Sequence, residues 1–236
     1  MTFELRSVTV QFEAIPALDD ISCTISDKRS ILLTGPTGAG KTTFLKLLFA
    51  DMYPDKGDVL LNGKSTRKMH APELRKYLRQ MGIVFQDTKL ISQYTVFENV
   101  LYPLFVNGFS KSEANKAGLE ILAEIGISHL RDKFPKNLSG GEKHFVALAR
   151  ALILKPEVII ADEPTGNLDS VATAQTAQIL LKAAENGALV ILSTHSSELI
   201  DYFPGARRIE LLEGKIVSDT NSTTTENHLS SEETQS

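Results

Sequence analysis

Residues 35–42 form a glycine-rich segment that could bind a triphosphate. They read Gly-Pro-Thr-Gly-Ala-Gly-Lys-Thr, which follows the pattern G-x-x-x-x-G-K-[ST]. In this pattern the glycines let successive backbone N–H groups converge on phosphate oxygens, and the following helix adds its positive end. Lys41 would reach the β- and γ-phosphates, and the Thr42 hydroxyl would hold Mg²⁺. The motif indicates a phosphate-rich ligand but does not separate kinases, GTPases and ATPases.

Two carboxylates, Asp162 and Glu163, follow directly after the apolar run 158–161. Ligands of open α/β sheets bind where such strands end. We therefore expect Asp162 to hold the Mg²⁺ shell and Glu163 to polarise the attacking water, a contribution of roughly 10²–10⁴ in rate. An acidic turn after a core strand is the structural alternative, and the phosphate-binding motif makes it the weaker one.

Two further polar residues follow apolar runs in the same manner. His195 comes after the run 189–193, and its ring could reach the γ-phosphate. Gln86 ends the run 82–85, and its amide could ligate Mg²⁺ or orient water. Each is a weak signal by itself, because a lone polar residue at a strand end is usually structural.

A second anion-binding turn is predicted at Ser139, Gly140, Gly141 and Glu142, before a long helical pattern. A Ser-Gly-Gly turn at a helix start offers a hydroxyl and exposed N–H groups to an anion. One γ-phosphate does not need two such sites from a single chain. A twofold head-to-tail pair resolves this, because each ATP would lie between residues 35–42 of one copy and Ser139 of the other. The sequence therefore predicts a homodimer that forms on ATP binding.

The elements that must position these residues alternate along the chain. Strands are predicted at 2–12, 17–25, 31–33, 57–61, 82–85, 158–161 and 189–193. A helix is predicted at 41–50, and the pattern between 87 and 150 is helical, with capping-box pairs Thr95–Glu98 and Ser110–Glu113. Residues 207–217 are typical of a closing hairpin. Strands that alternate with helices favour an α/β fold with a parallel sheet.

Composition indicates one folded unit with a polar end. Of the 236 residues 42% are hydrophobic, which suffices for a sizeable core, and we expect residues 1–218 to form one domain. Residues 219–236 are mainly Ser, Thr, Glu and Asn, so this tail is predicted to be disordered. A single cysteine, Cys23, excludes an internal disulfide and is expected to be a small core residue.

Charge and hydropathy limit the partners. The net charge is −4 and no long basic run is present, which argues against a nucleic-acid partner. No segment approaches the roughly 20 apolar residues of a membrane helix, and no signal-peptide pattern is found. We therefore expect a cytoplasmic protein that contacts a membrane only through another chain.

The motifs resemble those of the ABC (ATP-binding cassette) ATPase family over nearly the whole folded length. GPTGAGKT, LSGGE and IIADEPTGNLD occur with Gln86 and His195 in the family's order and at similar spacings. The resemblance implies a P-loop NTPase with a mixed, mainly parallel core sheet, an antiparallel β subdomain and an α-helical subdomain at about 87–150. It also implies ATPase activity, that Phe12 stacks on adenine, and that Asp169 touches the opposite subunit. An ordinary strand aromatic remains the alternative for Phe12.

The predicted site then comprises three overlapping groups with ATP and Mg²⁺ as cofactors. The predicted ATP-binding residues are Phe12, Gly35, Pro36, Thr37, Gly38, Ala39, Gly40, Lys41, Thr42 and Thr43. The predicted catalytic residues are Lys41, Gln86, Glu163 and His195. The predicted Mg²⁺ ligands are Thr42, Gln86 and Asp162.

Within the family the chain is most similar to the branch that acts in bacterial cell division. The stretches LLTGPTGAGKTTFLKLLF, TVFENV and FPKNLSGGE carry this similarity, and Asp87 after Gln86 favours this branch over lipoprotein-releasing and macrolide-exporting relatives. The branch implies a separate integral membrane partner, a peripheral place on the inner face of the cell membrane, and control of cell-wall hydrolysis. An ATPase subunit of a lipoprotein-releasing or macrolide-type exporter is the alternative.

Some residues depart from the family pattern. Lys143, His144 and Phe145 stand where two glutamines and an arginine are usual, and Ser196 stands where an acid is common. These changes leave open a regulatory cassette that binds ATP without turnover, although Glu163 and His195 argue against it. A chromosome-handling ATPase is disfavoured because no sustained heptads separate the two nucleotide motifs, and a translation factor because the length allows one cassette.

Overall fold

A computed structural model of the chain describes residues 1–12, 15–26 and 30–220. Its ten strands are β1 (Phe3–Phe12), β2 (Ile15–Ile25), β3 (Ile31–Thr34), β4 (Lys56–Leu61), β5 (Lys64–Ser65), β6 (Met81–Val84), β7 (Val158–Asp162), β8 (Leu189–Ser193), β9 (Arg207–Leu212) and β10 (Lys215–Asp219). Its seven α-helices are α1 (Lys41–Leu48), α2 (Ala71–Leu78), α3 (Val96–Val106), α4 (Lys111–Ile125), α5 (Gly140–Leu152), α6 (Ser170–Glu185) and α7 (Ser197–Asp201). Short 3₁₀ turns follow β5, α4 and residue 134.

The larger sheet is mainly parallel. Its order is β10-β9-β3-β8-β7-β6, and only the β9–β10 pair is antiparallel. Strands β3, β7 and β8 are apolar except at their last residues, Thr34, Asp162 and Ser193. Continuous apolar strands are expected where helices cover both faces of a sheet. The polar last residues therefore lie together along one edge of this sheet.

Side chains of the parallel strands alternate between two cores. Ile31 and Leu33 pack in one cluster with Phe44 of α1, while Leu32 faces a second cluster that includes Leu180 of α6. All five are at most 1% exposed. Because the strand period is two, each strand supplies apolar side chains to both clusters. This packing fixes α1, which carries Lys41, against one face.

An antiparallel sheet with the order β2-β1-β4-β5 covers the α1 side. Phe3, Leu5, Val8 and Val10 of β1 are buried in the same cluster as α1, and polar neighbours alternate with them. Sheet and helix therefore enclose one core, as expected when one face of an antiparallel sheet is buried. The antiparallel β subdomain implied by the resemblance is present.

Helices α3, α4 and α5 form a separate helical layer. Their third apolar cluster includes Val100, Leu122 and Val146, each at most 1% exposed. Both predicted capping boxes, Thr95–Glu98 and Ser110–Glu113, start helices as expected. None of the described helices combines the length and apolarity needed to cross a lipid bilayer.

Several predicted boundaries differ from the structure. Strand β6 ends at Val84, so Phe85 and Gln86 already lie in the following turn, and α1 ends at Leu48 rather than at residue 50. Strand β10 extends one residue past the predicted domain end at 218, and Asp219 pairs with Arg207. Residues 221–236 of the predicted tail lie outside the described residues.

Candidate functional site

The loop between β3 and α1 has a backbone that requires glycine at two positions. Gly35 has φ 133° and Gly40 has φ 102°, both in the region that side chains rarely adopt. A Cβ atom at Gly35 would lie 2.1 Å from the Leu211 carbonyl oxygen, and one at Gly40 would lie 2.3 Å from the Ala17 carbonyl oxygen. The predicted phosphate loop therefore packs directly against β9 and β2.

The Lys41 side chain turns back into this loop. Its Nζ donates to the carbonyl oxygens of Gly35 at 2.8 Å and Pro36 at 3.1 Å, and lies 3.3 Å from Glu163 Oε1. The residue is only 6% exposed, which a lysine tolerates when its charge is paired and hydrogen-bonded. An ammonium group thus lies where the backbone of residues 35–42 curves.

The acidic pair is held by the neighbouring strand. Asp162 lies opposite Ser193 in the β7–β8 register, and Ser193 Oγ donates to Asp162 Oδ1 at 2.5 Å while accepting from the Glu163 N–H at 2.9 Å. Glu163 has φ 46°, an uncommon conformation for a residue with a side chain. Such strain persists only where neighbours fix it, and it is concentrated at functional sites.

This turn places the Glu163 carboxylate between two nitrogens. Oε1 faces the Lys41 ammonium, and Oε2 lies 2.9 Å from Nδ1 of His195. The Glu163 side chain is 11% exposed, whereas that of His195 is 58% exposed. The arrangement can hold a carboxylate in one orientation, with an exposed imidazole on its outer side.

The predicted Mg²⁺ ligands lie at the same edge of the sheet. Thr42 is the second residue of α1, Asp162 ends β7, and Gln86 follows β6, which pairs with β7 through Val84 and Ala161. Hydroxyl, carboxylate and amide oxygens form a hard donor set that fits Mg²⁺. In the described contacts Ser193 donates to Oδ1 of Asp162. The other carboxylate oxygen, Oδ2, is therefore left to bind the predicted ion, and the donor set fits Mg²⁺.

The Ser139 turn starts α5 with a capping box. Ser139 Oγ accepts from the Glu142 N–H at 3.2 Å, and the Glu142 carboxylate accepts from the Ser139 N–H at 2.7 Å. The hydrogen bond from the Ser139 backbone lowers the pKa of Glu142. A Cβ at Gly140 would meet nothing within 4 Å, so the turn faces open space. The serine hydroxyl can still donate to an anion, because the cap uses only an oxygen lone pair.

The remaining predicted site residues lie at exposed element ends. Phe12, 57% exposed, is paired with Ile15 at the ends of β1 and β2. Asp169 caps α6, where its Oδ1 accepts from the Ala172 N–H at 2.8 Å. Among the described residues no hydrogen bond joins Phe12, Asp169 or Ser139 to Lys41, Glu163 or His195.

Three of the residues that depart from the family pattern, Lys143, His144 and Phe145, lie on α5, and the fourth, Ser196, precedes α7. His144 is buried, and its Nε2 lies 3.2 Å from the Thr176 Oγ1 on α6. Burial lowers the pKa of His144 to about 4. Phe145 contacts the His144 ring at a centroid distance of 5.7 Å. Ser196 caps α7 by accepting from the Leu199 N–H.

Two residues of the site region were not predicted. Ser193 orients Asp162 and Glu163. The sequence feature that could have indicated this role is a serine at the end of an otherwise apolar strand. Arg150 donates to the carbonyl oxygens of Thr88 and Lys89 after Gln86, and no local pattern predicts this contact.

Comparisons with known proteins agree with this fold. A family model described as "ABC transporter" matches residues 18–166. The chain is 38% identical to the cell division ATP-binding protein FtsE of Bacillus subtilis (strain 168), over 87% of this chain and 90% of that protein. It is 39% identical to the lipoprotein-releasing system ATP-binding protein LolD 1 of Rhodopirellula baltica, over 90% of this chain and 93% of that protein.

A solved structure shows the same architecture. The dimeric structure of a post-hydrolysis state of the ATP-binding cassette MJ0796, bound to ADP and Pi, matches with a TM-score of 0.85 and 32% identity. The match covers 92% of this chain and 97% of that one. The predicted fold, a mixed α/β cassette with mainly parallel core sheet, is confirmed.

Proposed function

The chain belongs to the ABC transporter family, whose cassettes are ATPases, and from this premise we propose that two copies bind two MgATP and drive a membrane partner. The observation that carries the proposal is the Lys41–Glu163–His195 arrangement beside residues 35–42. A carboxylate fixed between a phosphate-binding ammonium and an imidazole is suited to water activation at a γ-phosphate. The dimeric MJ0796 cassette supports a paired assembly.

Each side chain has a part in the proposed reaction. Lys41 exchanges its contacts with Gly35, Pro36 and Glu163 for the β- and γ-phosphate oxygens when ATP enters. Glu163, freed from the ammonium, orients water and accepts its proton, while His195 holds the carboxylate. Mg²⁺ supplies charge neutralisation on the phosphate oxygens and would be held by Thr42, Gln86 and Asp162.

The other copy supplies the remaining contacts in this proposal. Ser139 and the N–H groups of its turn bind the γ-phosphate of the partner's ATP. Asp169 lies in a loop that contacts the other copy. In the copy whose residues 35–42 bind the ATP, Phe12 stacks on adenine, which its exposed ring permits. Since a ligand shifts an equilibrium only by its differential affinity, ATP must touch both copies to close the dimer.

The first test replaces the proposed base by its amide. Glu163→Gln keeps the side-chain shape but cannot accept a proton, so we expect ATP binding to persist and turnover to fall by roughly 10²-fold or more. Size-exclusion chromatography should show an ATP-dependent dimer of this variant. Glu157→Gln, at the exposed opposite end of β7, is the matched control and should hydrolyse ATP normally. Turnover at the wild-type rate in Glu163→Gln would refute this function.

The membrane partner is proposed to resemble FtsX, with a role in cell division and control of cell-wall hydrolysis. The likeness to FtsE of Bacillus subtilis supports this assignment. An exposed apolar surface lies on and after α3, and its large side chains are Tyr102, Phe105, Val106 and Phe109, 43–52% exposed. A patch of this kind on a water-exposed helix is typical of a protein contact.

The second test asks what this surface binds. The double variant Tyr102→Ser, Phe105→Ser should lose co-purification with a membrane protein while keeping its basal ATPase activity. Val171→Ser, at a side chain 79% exposed on another surface, is the control and should retain the partner. An FtsX-like protein in the co-purified fraction supports cell division. A lipoprotein- or macrolide-exporting membrane protein would instead establish the alternative that the similarity to LolD 1 favours.

A further inference from the structure

Arg150, near the C-terminal end of α5, holds the loop that follows Gln86. Its Nη2 donates to the Thr88 carbonyl oxygen at 2.7 Å, and its Nη1 donates to the Lys89 carbonyl oxygen at 2.8 Å. The planar guanidinium fork can bind two adjacent acceptors at once, which an ammonium cannot reproduce. The side chain thus connects two segments that are 61 and 62 positions apart in sequence.

The loop has an unusual backbone at the residues that Arg150 binds. Thr88 has φ 56° and Lys89 has φ 43°, both left-handed, and this conformation is a genuine outlier for the β-branched threonine. The Thr88 N–H donates to the Phe85 carbonyl at 3.0 Å, and the Lys89 ammonium lies 4.3 Å from the Phe85 ring centre. Strain of this kind persists only when neighbouring groups fix it. The loop therefore has one defined shape, which presents two carbonyls to Arg150.

The charge of Arg150 makes this contact difficult to break. Arg150 is half-buried, and this partial burial lowers the pKa of its guanidinium. Among the described residues no carboxylate lies within ion-pair distance of Arg150, so the two carbonyls are its described acceptors. Moving the loop away would leave a half-buried cation without these two acceptors, which is unfavourable. The end of α5 and the loop after Gln86 are therefore expected to move together.

The opposite end of α5 is the Ser139 turn. At 1.5 Å per residue, the helix separates Ser139 from Arg150 by about 16 Å. We propose that Arg150 is a positioning residue that couples the Ser139 turn to Gln86. Contact of the turn with the other copy's ATP sets the position of α5, and Arg150 transmits that position to the Gln86 amide. The inference rests on the proposed function, in which Gln86 serves the Mg²⁺ site.

The first experiment is a double-mutant cycle. Arg150→Lys keeps the positive charge and removes the guanidinium fork. We expect roughly ten-fold slower ATP turnover and a several-fold higher half-saturating Mg²⁺ concentration than in wild type. The affinity for ATP without Mg²⁺ should stay within about two-fold of the wild-type value. In a Gln86→Ala background the same substitution should cause no further loss, because Arg150 acts through Gln86. Arg131→Lys, at an exposed arginine of the same layer, is the control and should behave as wild type.

A second variant covers the case in which Arg150→Lys does not fold. Thr88→Gly with Lys89→Gly leaves Arg150 intact, and glycine adopts the left-handed conformation without strain while making the loop more flexible. Like Arg150→Lys, this double-glycine variant should slow turnover and raise the half-saturating Mg²⁺ concentration. In the Gln86→Ala background it should cause no further loss.

The outcomes separate this inference from the proposed function. If Gln86→Ala lowers turnover and the two losses multiply, the coupling is overturned while the catalytic assignment stands. If Gln86→Ala turns over normally, the role of Gln86 and the coupling both fail. The coupling would also be overturned if Arg150→Lys had unchanged turnover and Mg²⁺ dependence. If Arg150→Lys does not fold, the same result in the double-glycine variant would overturn it.

Discussion

The buried imidazole ring of His144 joins α5, which follows the Ser139 turn, to α6, which follows Asp169. His144 on α5 contacts Thr176 on α6, and both side chains are withdrawn from water. A glutamine, usual here in the family, would keep its hydrogen bonding at any pH, whereas an imidazole gains a charge in acid. Since burial disfavours that charge, this residue makes the packing of α5 on α6 sensitive to acid.

The stability of the protein should therefore fall as the pH is lowered from 6.5 towards 4. The pKa of His144 is about 4 in the folded protein and near 6.5 when the chain is unfolded, so the unfolded state binds more protons in this window. The contribution is fully present above pH 6.5, and up to roughly 3 kcal/mol is lost by pH 4. Urea unfolding of wild type and His144→Gln at pH 7.5 and 5 measures it.

The substitution His144→Gln should flatten the pH dependence of the free energy of unfolding. His129→Gln, at an exposed histidine, is the control and should retain the wild-type slope. An equal slope in wild type and His144→Gln would contradict the burial argument.

At the scale of elements, the same capping chemistry starts α4 and α5. Ser110 and Ser139 each accept from the N–H three residues later, and a glutamate three residues on accepts from the serine N–H. The α4 cap precedes an ordinary packed helix. The α5 cap is proposed to meet the other copy's ATP as well.

This difference predicts that two equivalent substitutions have unequal effects. Ser110→Ala and Ser139→Ala should each lower the free energy of unfolding by about 1 kcal/mol, because each removes a helix cap. Only Ser139→Ala should also slow ATP turnover. Urea unfolding and steady-state ATPase assays on both variants test this, and equal turnover in the two would remove the assigned role of Ser139.

Local patterns predicted the elements that carry the site better than the contacts between them. Apolar runs correctly predicted β3, β7 and β8, and the closing hairpin predicted at 207–217 is formed by β9 and β10. Helix α2 was not predicted because it is only eight residues long and none of its apolar residues Leu74, Tyr77 and Leu78 is fully buried.

The long-range contacts of the site were beyond sequence reasoning for a physical reason. Ser193 binds Asp162 across 31 positions, and Arg150 binds the loop after Gln86 across about twice that separation. No local periodicity encodes such pairs, because they form only when the sheet brings distant strand ends together. The left-handed Glu163 and Thr88 were unpredicted for the same reason, since tertiary contacts stabilise them.

At the scale of the whole molecule, the site residues divide into two sets. Lys41, Glu163 and His195 converge at one sheet edge, whereas the Ser139 turn makes its described hydrogen bonds within itself and with α5. In the proposed function, a second copy brings its Ser139 turn to the nucleotide. The proposed closed dimer predicts a proximity between copies that can be trapped chemically.

The chain is well suited to cysteine cross-linking. Its one native cysteine, Cys23, is buried, and burial raises the pKa of its thiol to about 11, so little reactive thiolate forms near pH 8. Thr37, in the phosphate loop, and Gly140, in the Ser139 turn, are both exposed positions for new thiols. Any cross-link formed should therefore report the introduced cysteines.

We expect a mixture of Thr37→Cys and Gly140→Cys proteins, both carrying Glu163→Gln, to form a bismaleimide-linked heterodimer only when MgATP is present. ATP brings residue 37 of one copy towards residue 140 of the other, while each variant alone has its new thiols at sites that do not face one another. Denaturing gel electrophoresis of the mixture and of each single variant, with and without nucleotide, measures this. Cross-linking that ignores ATP, or that is as efficient within one variant as in the mixture, would contradict a nucleotide shared between two copies. It would also remove the physical basis for coupling ATP binding to motion of the helical layer.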